Sequence, residues 1–429
     1  MIIKSVIVDG FWERAKAVSE FYPDVTIFIG VNGTGKTTFI NLISAALTVD
    51  VQQLENLQFN NITIILIDPK RKSVTRKITI NNYKSESPFT IYEYKVGNKK
   101  YRVYSDTTRL RRIRMPPSVI REMEELKSAI SNLVEVSWIS VYRQVSGEGL
   151  EENLPGKSNA IDTRLKQLLD QYSKYQLKLE TQLNEISLKF QREAISSLLY
   201  NPTLDDFNLS DVSYGISKID LEVEQDNLFR AFNELGIKNR DEQIESHVNK
   251  LRNALKGLSN SLEEKTTVNA DDVFALPLVR RTNQILDLLK QSEKEKQEIL
   301  EPRRKFYDTL LKFMTKKNFY HNNKTGELVV SLAHENKKDN ILPLYSLSSG
   351  EKQLLIQFME VLLQEDRSLI FIADEPELSL HVSWQAELLK ALRDLNRNAQ
   401  LIVATHSPEI VAGFTNNVID MEDIVLVNA

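Results

Sequence analysis

The chain has 429 residues, 55 of them basic and 59 acidic, for a formal net charge of −4 and a hydrophobic share of 41%. That length can bury a large core divided over two or three domains, and the charge balance announces no global affinity for polyanions. There is no cysteine, which excludes a disulfide framework, a thiolate metal site and a cysteine nucleophile, and the five histidines (His247, His321, His334, His381 and His406) are too scattered for a histidine-rich metal centre.

No apolar run approaches the roughly 20 residues of a membrane span, and the N-terminus lacks a signal-peptide pattern. The expectation is a cytoplasmic protein with no membrane partner. Residues 2–8 and 25–29 read as strands bracketing a polar loop that holds Phe11 and Trp12, an aromatic pair suited either to the core or to an adenine face. Directly after the second strand, Gly30-Val31-Asn32-Gly33-Thr34-Gly35-Lys36-Thr37 fits G-x-x-x-x-G-K-[ST], with a helix predicted over 37–48. Glycines let the backbone wrap a phosphate chain with its N–H groups inward, and the helix adds its positive end. Asn32, Gly33, Gly35, Lys36, Thr37 and Thr38 are therefore candidate ATP contacts, with Thr37 also a candidate Mg²⁺ ligand.

Two hairpins follow, 61–67 with 74–80 and 88–96 with 100–105. Their surroundings are basic at 68–73 and again at Arg109, Arg111, Arg112 and Arg114, which read either as contacts to a nucleic-acid backbone or as a solvated face. Residues 134–142 read as a buried strand ending at Arg143-Gln144, and 145–160 has the composition of a linker. A long helix is predicted over 161–200, with apolar positions Leu165, Leu168, Tyr172, Tyr175, Leu179, Leu183, Ile186 and Phe190 spaced as heptads with one stutter. Forty helical residues reach about 60 Å.

Residues 201–240, broken by Pro202, Gly215 and Gly236, show no clean seam. The seam resumes at Val248, Leu251, Leu255, Leu258 and Leu262, and a third helical run spans 281–315 with Pro302 as an expected kink. The simplest arrangement is an antiparallel, coiled-coil-like arm over 161–300. It is inserted between an N-terminal lobe (1–160) and a C-terminal lobe (301–429) of one α/β head, and an ordinary helical subdomain is the alternative.

The C-terminal part opens with strands expected over 328–333 and 341–346, then carries three dense motifs. Leu347-Ser348-Ser349-Gly350-Glu351-Lys352-Gln353 puts small hydroxyls and a glycine at a helix start, an anion site. Leu369–Pro376 is an apolar strand ending in Asp374 and Glu375, suited to supporting Mg²⁺ and to activating water as general base. In Leu401–Pro408 another apolar strand delivers His406.

The run LSSGEKQ resembles the signature of ABC-type ATPases. The order of P-loop, signature, acidic strand end and histidine resembles the whole head of that family, with Gln144 at the place of its Q-loop residue. The resemblance implies an ABC-type P-loop ATPase head that hydrolyses ATP with Mg²⁺. Glu375, His406 and Gln144 would be catalytic, Thr37, Asp374 and Gln144 would serve the metal, and Glu377–His381 would stand where the family has its D-loop. It also implies that Ser348 and Gly350 cap ATP held by another subunit, so that heads pair, with larger rings open. The gap of 203 positions from Gln144 to Leu347 resembles the SMC, RecF and OLD branch rather than transporter ATPases. The wording LSSGEKQ…IADEPELSLH…ATHSPEI is similar to stand-alone ATPases of bacterial anti-phage systems, such as the PtuA component of Septu and the AriA component of PARIS. OLD proteins continue into a Toprim nuclease, whereas only about twenty residues follow His406 here, with no Toprim or HNH motif. The resemblance thus implies a sensor that controls a separate nuclease effector of HNH or Toprim type, with a phage protein as trigger. The alternative is a RecF- or SMC-like repair ATPase that clamps DNA when ATP pairs its heads.

Overall fold

The structure, a computed structural model, describes residues 1–83, 89–106, 117–140, 160–197, 199, 221–234, 241–264, 276–332, 341–365 and 367–427. Its strands are β1 (Ile2–Phe11), β2 (Ala15–Glu20), β3 (Val25–Ile29), β4 (Asn61–Ile67), β5 (Thr75–Tyr83), β6 (Phe89–Val96), β7 (Lys99–Asp106), β8 (Glu135–Ser140), β9 (Lys317–His321), β10 (Leu328–Leu332), β11 (Ile341–Leu342), β12 (Leu369–Asp374), β13 (Gln400–Ala404), β14 (Val418–Asp420) and β15 (Val425–Val427). Its helices are α1 (Lys36–Thr48), α2 (Val51–Glu55), α3 (Pro117–Ser131), α4 (Ala160–Ser196), α5 (Leu221–Glu234), α6 (Asp241–Glu264), α7 (Leu276–Phe313), α8 (Ser349–Leu362), α9 (Val382–Leu395), α10 (Pro408–Ala412) and α11 (Met421–Ile424). The chain forms two compact units, Met1–Lys174 with Pro302–Ala429, and Tyr175–Glu301.

The first unit is α/β. An antiparallel sheet runs in the order β15-β2-β1-β4-β5-β6-β7, a parallel one in the order β14-β3-β13-β12-β8, and a small antiparallel one in the order β11-β10-β9. The sequence patterns account for the difference. Leu369–Asp374 has no polar alternation and is buried at every position, as a central parallel strand covered on both faces must be. The hairpin strands alternate, so Ile78, Ile80, Tyr92, Tyr94, Tyr101 and Val103 turn inward while Lys77, Lys95 and Lys100 stay exposed. Helix α1 is buried almost all round because it shares one continuous core with both sheets. Phe39, Ile40 and Ile43 belong to the same apolar cluster as Ile64 and Tyr94 of the antiparallel sheet and Ile370, Ile372 and Ile402 of the parallel one.

The expected polar loop around Phe11 and Trp12 is instead a strand pair. β1 runs on through Phe11, and β2 pairs with it from Ser5↔Glu20 to Phe11↔Ala15. The alternation in AKAVSE buries Ala15, Ala17 and Ser19, but small residues made the pattern easy to pass over. The strand expected over 341–346 stops at Leu342, since Pro343 has no N–H for the ladder, and Leu344–Ser346 forms a 3₁₀ turn. Strand β9 and helix α3 add to the expected elements.

In the second unit, Phe190 and Ala194 of α4 pack with Ala231 of α5 and Leu289 of α7. Leu228, Ile244, Val248 and Leu286 form a second cluster from α5, α6 and α7. Residues 221–234, read as lacking a seam, are thus an amphipathic helix. Of the α4 seam, Leu165, Leu168, Tyr172, Tyr175, Leu179 and Phe190 are buried, while Leu183 and Ile186 are half-buried. The side chains of Leu255, Leu258 and Leu262, the linker 145–159 and the arginines at 109–114 lie outside the described residues. Pro302 is inside α7.

Candidate functional site

Strand β3 ends at Ile29, α1 begins at Lys36, and the loop between them has φ +142° at Gly30, +89° at Gly33 and +99° at Gly35, a region that favours glycine. A Cβ at Gly35 would stand 2.8 Å from the Trp12 ring, so the loop is packed from below by the turn after β1. A Cβ at Gly33 would meet nothing within 4 Å, so that side of the loop is an open cradle. Trp12 lies 4.7 Å from Phe11, centroid to centroid, and Phe11 is fully buried with its ring edge-to-face against Phe39. The Phe11 side chain therefore belongs to the core, and the Trp12 ring backs the phosphate loop at Gly35.

Lys36 is buried, and its Nζ donates to Gly30 O at 2.8 Å and Val31 O at 3.4 Å. Burial lowers its pKa, opposed by the carboxylates of Glu375, Asp374 and Asp420. The hydroxyl of Thr37 donates to Asp374 Oδ1 at 3.2 Å, joining residues 337 positions apart. Parallel pairing sets this meeting, because β3 and β12 both flank β13 and deliver their C-terminal ends to the same edge. Asp374 is buried, and its pKa is raised by that burial and by Glu377, against the Thr37 hydrogen bond and the charges of Lys36 and His406.

Glu375 follows at φ +48°, its N–H bonded to Ala404 O at 2.8 Å. Its pKa is raised to about 7, first by burial, then by the Glu377 carboxyl beside it and by Asp374. His406 Nε2 lies 3.6 Å from Glu375 Oε1. Glu375 and His406, on different strand ends, are thus brought together with Lys36, Thr37 and Asp374. Asn32 and Thr38 stand on either side of these in the loop and helix, Asn32 exposed and Thr38 half-buried.

The signature segment opens α8. Ser348 is the N-cap, its hydroxyl accepting from Glu351 N while Glu351 Oε2 accepts from Ser348 N at 3.0 Å, a capping box that fixes the helix start. Ser348 and Ser349 are exposed, whereas Gly350 is buried with no room for a side chain, a Cβ there falling 2.5 Å from Ser379 O. Among the described residues no hydrogen bond joins Ser348 or Gly350 to the phosphate loop. Gln144 lies outside the described residues.

Sequence reasoning placed Glu377 only at the start of the D-loop segment and missed its place in this site. Glu377 is buried, accepts from the Thr405 hydroxyl through Oε1, and leaves Oε2 with no partner among the described residues. The Thr405 hydroxyl in turn accepts from Ser407 N at 2.9 Å. The only signal was a third acid two places after Glu375, opposite the threonine beside His406.

The pattern of the AAA ATPase domain matches residues 1–411. This chain belongs to the AAA ATPase domain family. Residues 1–411 thus carry an ATPase domain of that family. It is 35% identical over 85 residues to the Retron Ec83 probable ATPase of Escherichia coli, covering 17% of this chain and 16% of that one. The chain thus spans about a sixth of the length of that curated relative. It is also similar to the Smc head domain with an extended coiled coil from Pyrococcus furiosus, solved with the C-terminal domain of ScpA bound, at 13% identity, 98% and 93% coverage of the two chains and a TM-score of 0.46. A second similarity is to the Smc head domain with a coiled coil and joint from Pyrococcus yayanosii, at 14% identity, 98% and 94% coverage and a TM-score of 0.45. No helix among the described residues is long and apolar enough to cross a membrane.

Proposed function

We propose that this ATPase is the sensor and regulator of an anti-phage complex, with ATP state controlling a separate nuclease chain. The similarity to a retron ATPase supports that setting. The open cradle at Gly33, the buried ammonium of Lys36 and the Thr37–Asp374 pair fit Mg²⁺–ATP. Gly33, Gly35 and the backbone around Asn32 and Thr38 would hold the phosphates, with Lys36 against the β- and γ-groups. Thr37, Asp374 and Gln144 would hold Mg²⁺, which when bound neutralises phosphate charge. Glu375 takes a proton from water as general base, and His406 orients it and contacts the terminal phosphate.

The site is composite. Its supporting observation is the capped, exposed start of α8, where Ser348 makes no hydrogen bond to its own chain's phosphate loop among the described residues. Ser348 and Gly350 then complete a second copy's site, and ATP favours pairing of heads. Residues 161–300 serve as a helical arm. Mixing Lys36→Ala with Ser348→Arg tests the composite site, because a mixed pair has one site with both defects and one with neither. With equal amounts of the two variants up to half of all pairs are mixed, and each mixed pair should regain one working site. No phosphate release and no ATP occupancy in a mixture whose subunits demonstrably exchange would refute it. The regulatory role is tested on the complex purified from its native host. A co-purifying nuclease whose activity differs between the wild type and Glu375→Gln is expected, and a complex indifferent to that substitution would sink the reading.

A further inference from the structure

The antiparallel sheet gathers an unusual charge at one end. Strand β4 runs into the loop before β5, and β6 into the turn before β7, so both hairpin turns lie at the same end of the sheet. Gly97 N bonded to Lys77 O joins them. Residues 68–77 and 95–100 there hold Lys70, Arg71, Lys72, Arg76, Lys77, Lys95, Lys99 and Lys100 against a single acid, Asp68, in a chain that is acidic overall. All eight basic residues are exposed. Asp68 turns its carboxylate onto the N–H groups of Lys70 and Arg71, capping its own loop. Lys100 reaches Glu93 at 3.1 Å, and among the described residues Lys70, Lys72, Arg76, Lys77, Lys95 and Lys99 have no acidic partner. Lys95 sits directly opposite Lys100 in the β6–β7 register, a like-charge pair that costs the sheet stability.

Protection of a sheet edge explains lysines on β7 but not the five basic residues of the β4–β5 hairpin, which lie inside the sheet order. A lipid surface or a protein partner calls for apolar anchors among the charges. None of the large exposed apolar side chains falls in 68–77 or 95–100, and no exposed aromatic ring is there to stack on a single-stranded base. Charge without apolar anchors or stacking rings matches a double helix read through its phosphates alone.

We propose that the β4–β5 and β6–β7 hairpin end is a docking surface for the phosphate backbone of duplex nucleic acid. It spans three strand spacings, about 14 Å, against a phosphate every ~3.4 Å along each strand, room for four or more contacts. The surface is independent of the composite-site and nuclease readings and stands whether or not they hold.

The test compares wild type with Lys77→Ala/Lys95→Ala/Lys99→Ala, none of them in the nucleotide site, so phosphate release should be unchanged and certifies folding. Affinity for a 30-base-pair duplex of arbitrary sequence is measured from 50 to 200 mM salt. Losing three phosphate contacts should flatten the slope of log K against log salt by about 2.7, so the wild-type affinity falls about 40-fold more than the variant's over that range. No duplex binding by the wild type, the same slope in both proteins, tighter binding to single strands, or binding only to phosphatidylserine vesicles would each overturn the proposal.

Discussion

Glu375→Gln should make the nucleotide-free, metal-free protein more stable while stopping its turnover. The Glu375 side chain is 22% exposed and crowded by Glu377 and Asp374. Burial and the neighbouring carboxyls raise its folded pKa to about 7, against an ordinary carboxyl value of 4.5 in the unfolded chain. Below pH 4.5 both states hold the proton, and the variant has no electrostatic advantage. Between the two values the folded state keeps a proton that the unfolded state has released, so wild-type stability falls by about 1.4 kcal/mol for each pH unit gained. Above pH 7 the full cost, about 3 kcal/mol, is present in the wild type and absent from the amide. For a head of this size that is a gain of roughly 5–10 °C in melting temperature. Urea unfolding with EDTA at pH 5, 6, 7 and 8 would show the gap widening with pH. Equal stability at pH 8, or a gap of constant size, would refute the idea that carboxylate crowding strains this site.

Lys36→Ala should weaken ATP binding itself, while Glu375→Gln keeps binding and loses phosphate release, which titration calorimetry and a phosphate assay would separate. Gly350→Ala should destabilise the start of α8 by about 1–3 kcal/mol, because its Cβ would meet Ser379 O, a backbone atom, at 2.5 Å; urea midpoints would report it. For Glu351, burial pushes the carboxyl up, but the Lys317 ammonium at 2.5 Å and the Ser348 N–H hold it below its ordinary value. Its stabilisation is present above the unfolded value and fades as pH falls through the folded one, so Lys317→Met should lose stability at pH 7 and converge on wild type in acid. Shortening α4 and α7 by matched heptads should leave phosphate release intact, since the first unit has its own core, whereas shortening one alone should abolish soluble expression.

The local motifs were legible without coordinates because each is a short-range device. A glycine-spaced loop between a strand and a helix, an apolar run ending in two acids, and a serine cap with glutamate three places on are each set by neighbours in the chain. The heptad spacing of α4 likewise announced its buried stripe. Periodicity failed where residues were small, as in β2, and where a helix such as α5 takes its partners from elsewhere. What only the tertiary structure decided is convergence across the chain. The parallel order β3-β13-β12 sets Thr37 against Asp374 and Glu375 near His406, and the Thr405 hydroxyl bridges to Glu377. The meeting of the two basic hairpin ends is of the same kind. These contacts depend on which strands lie side by side, a choice made by burial of whole faces rather than by any residue's local preference.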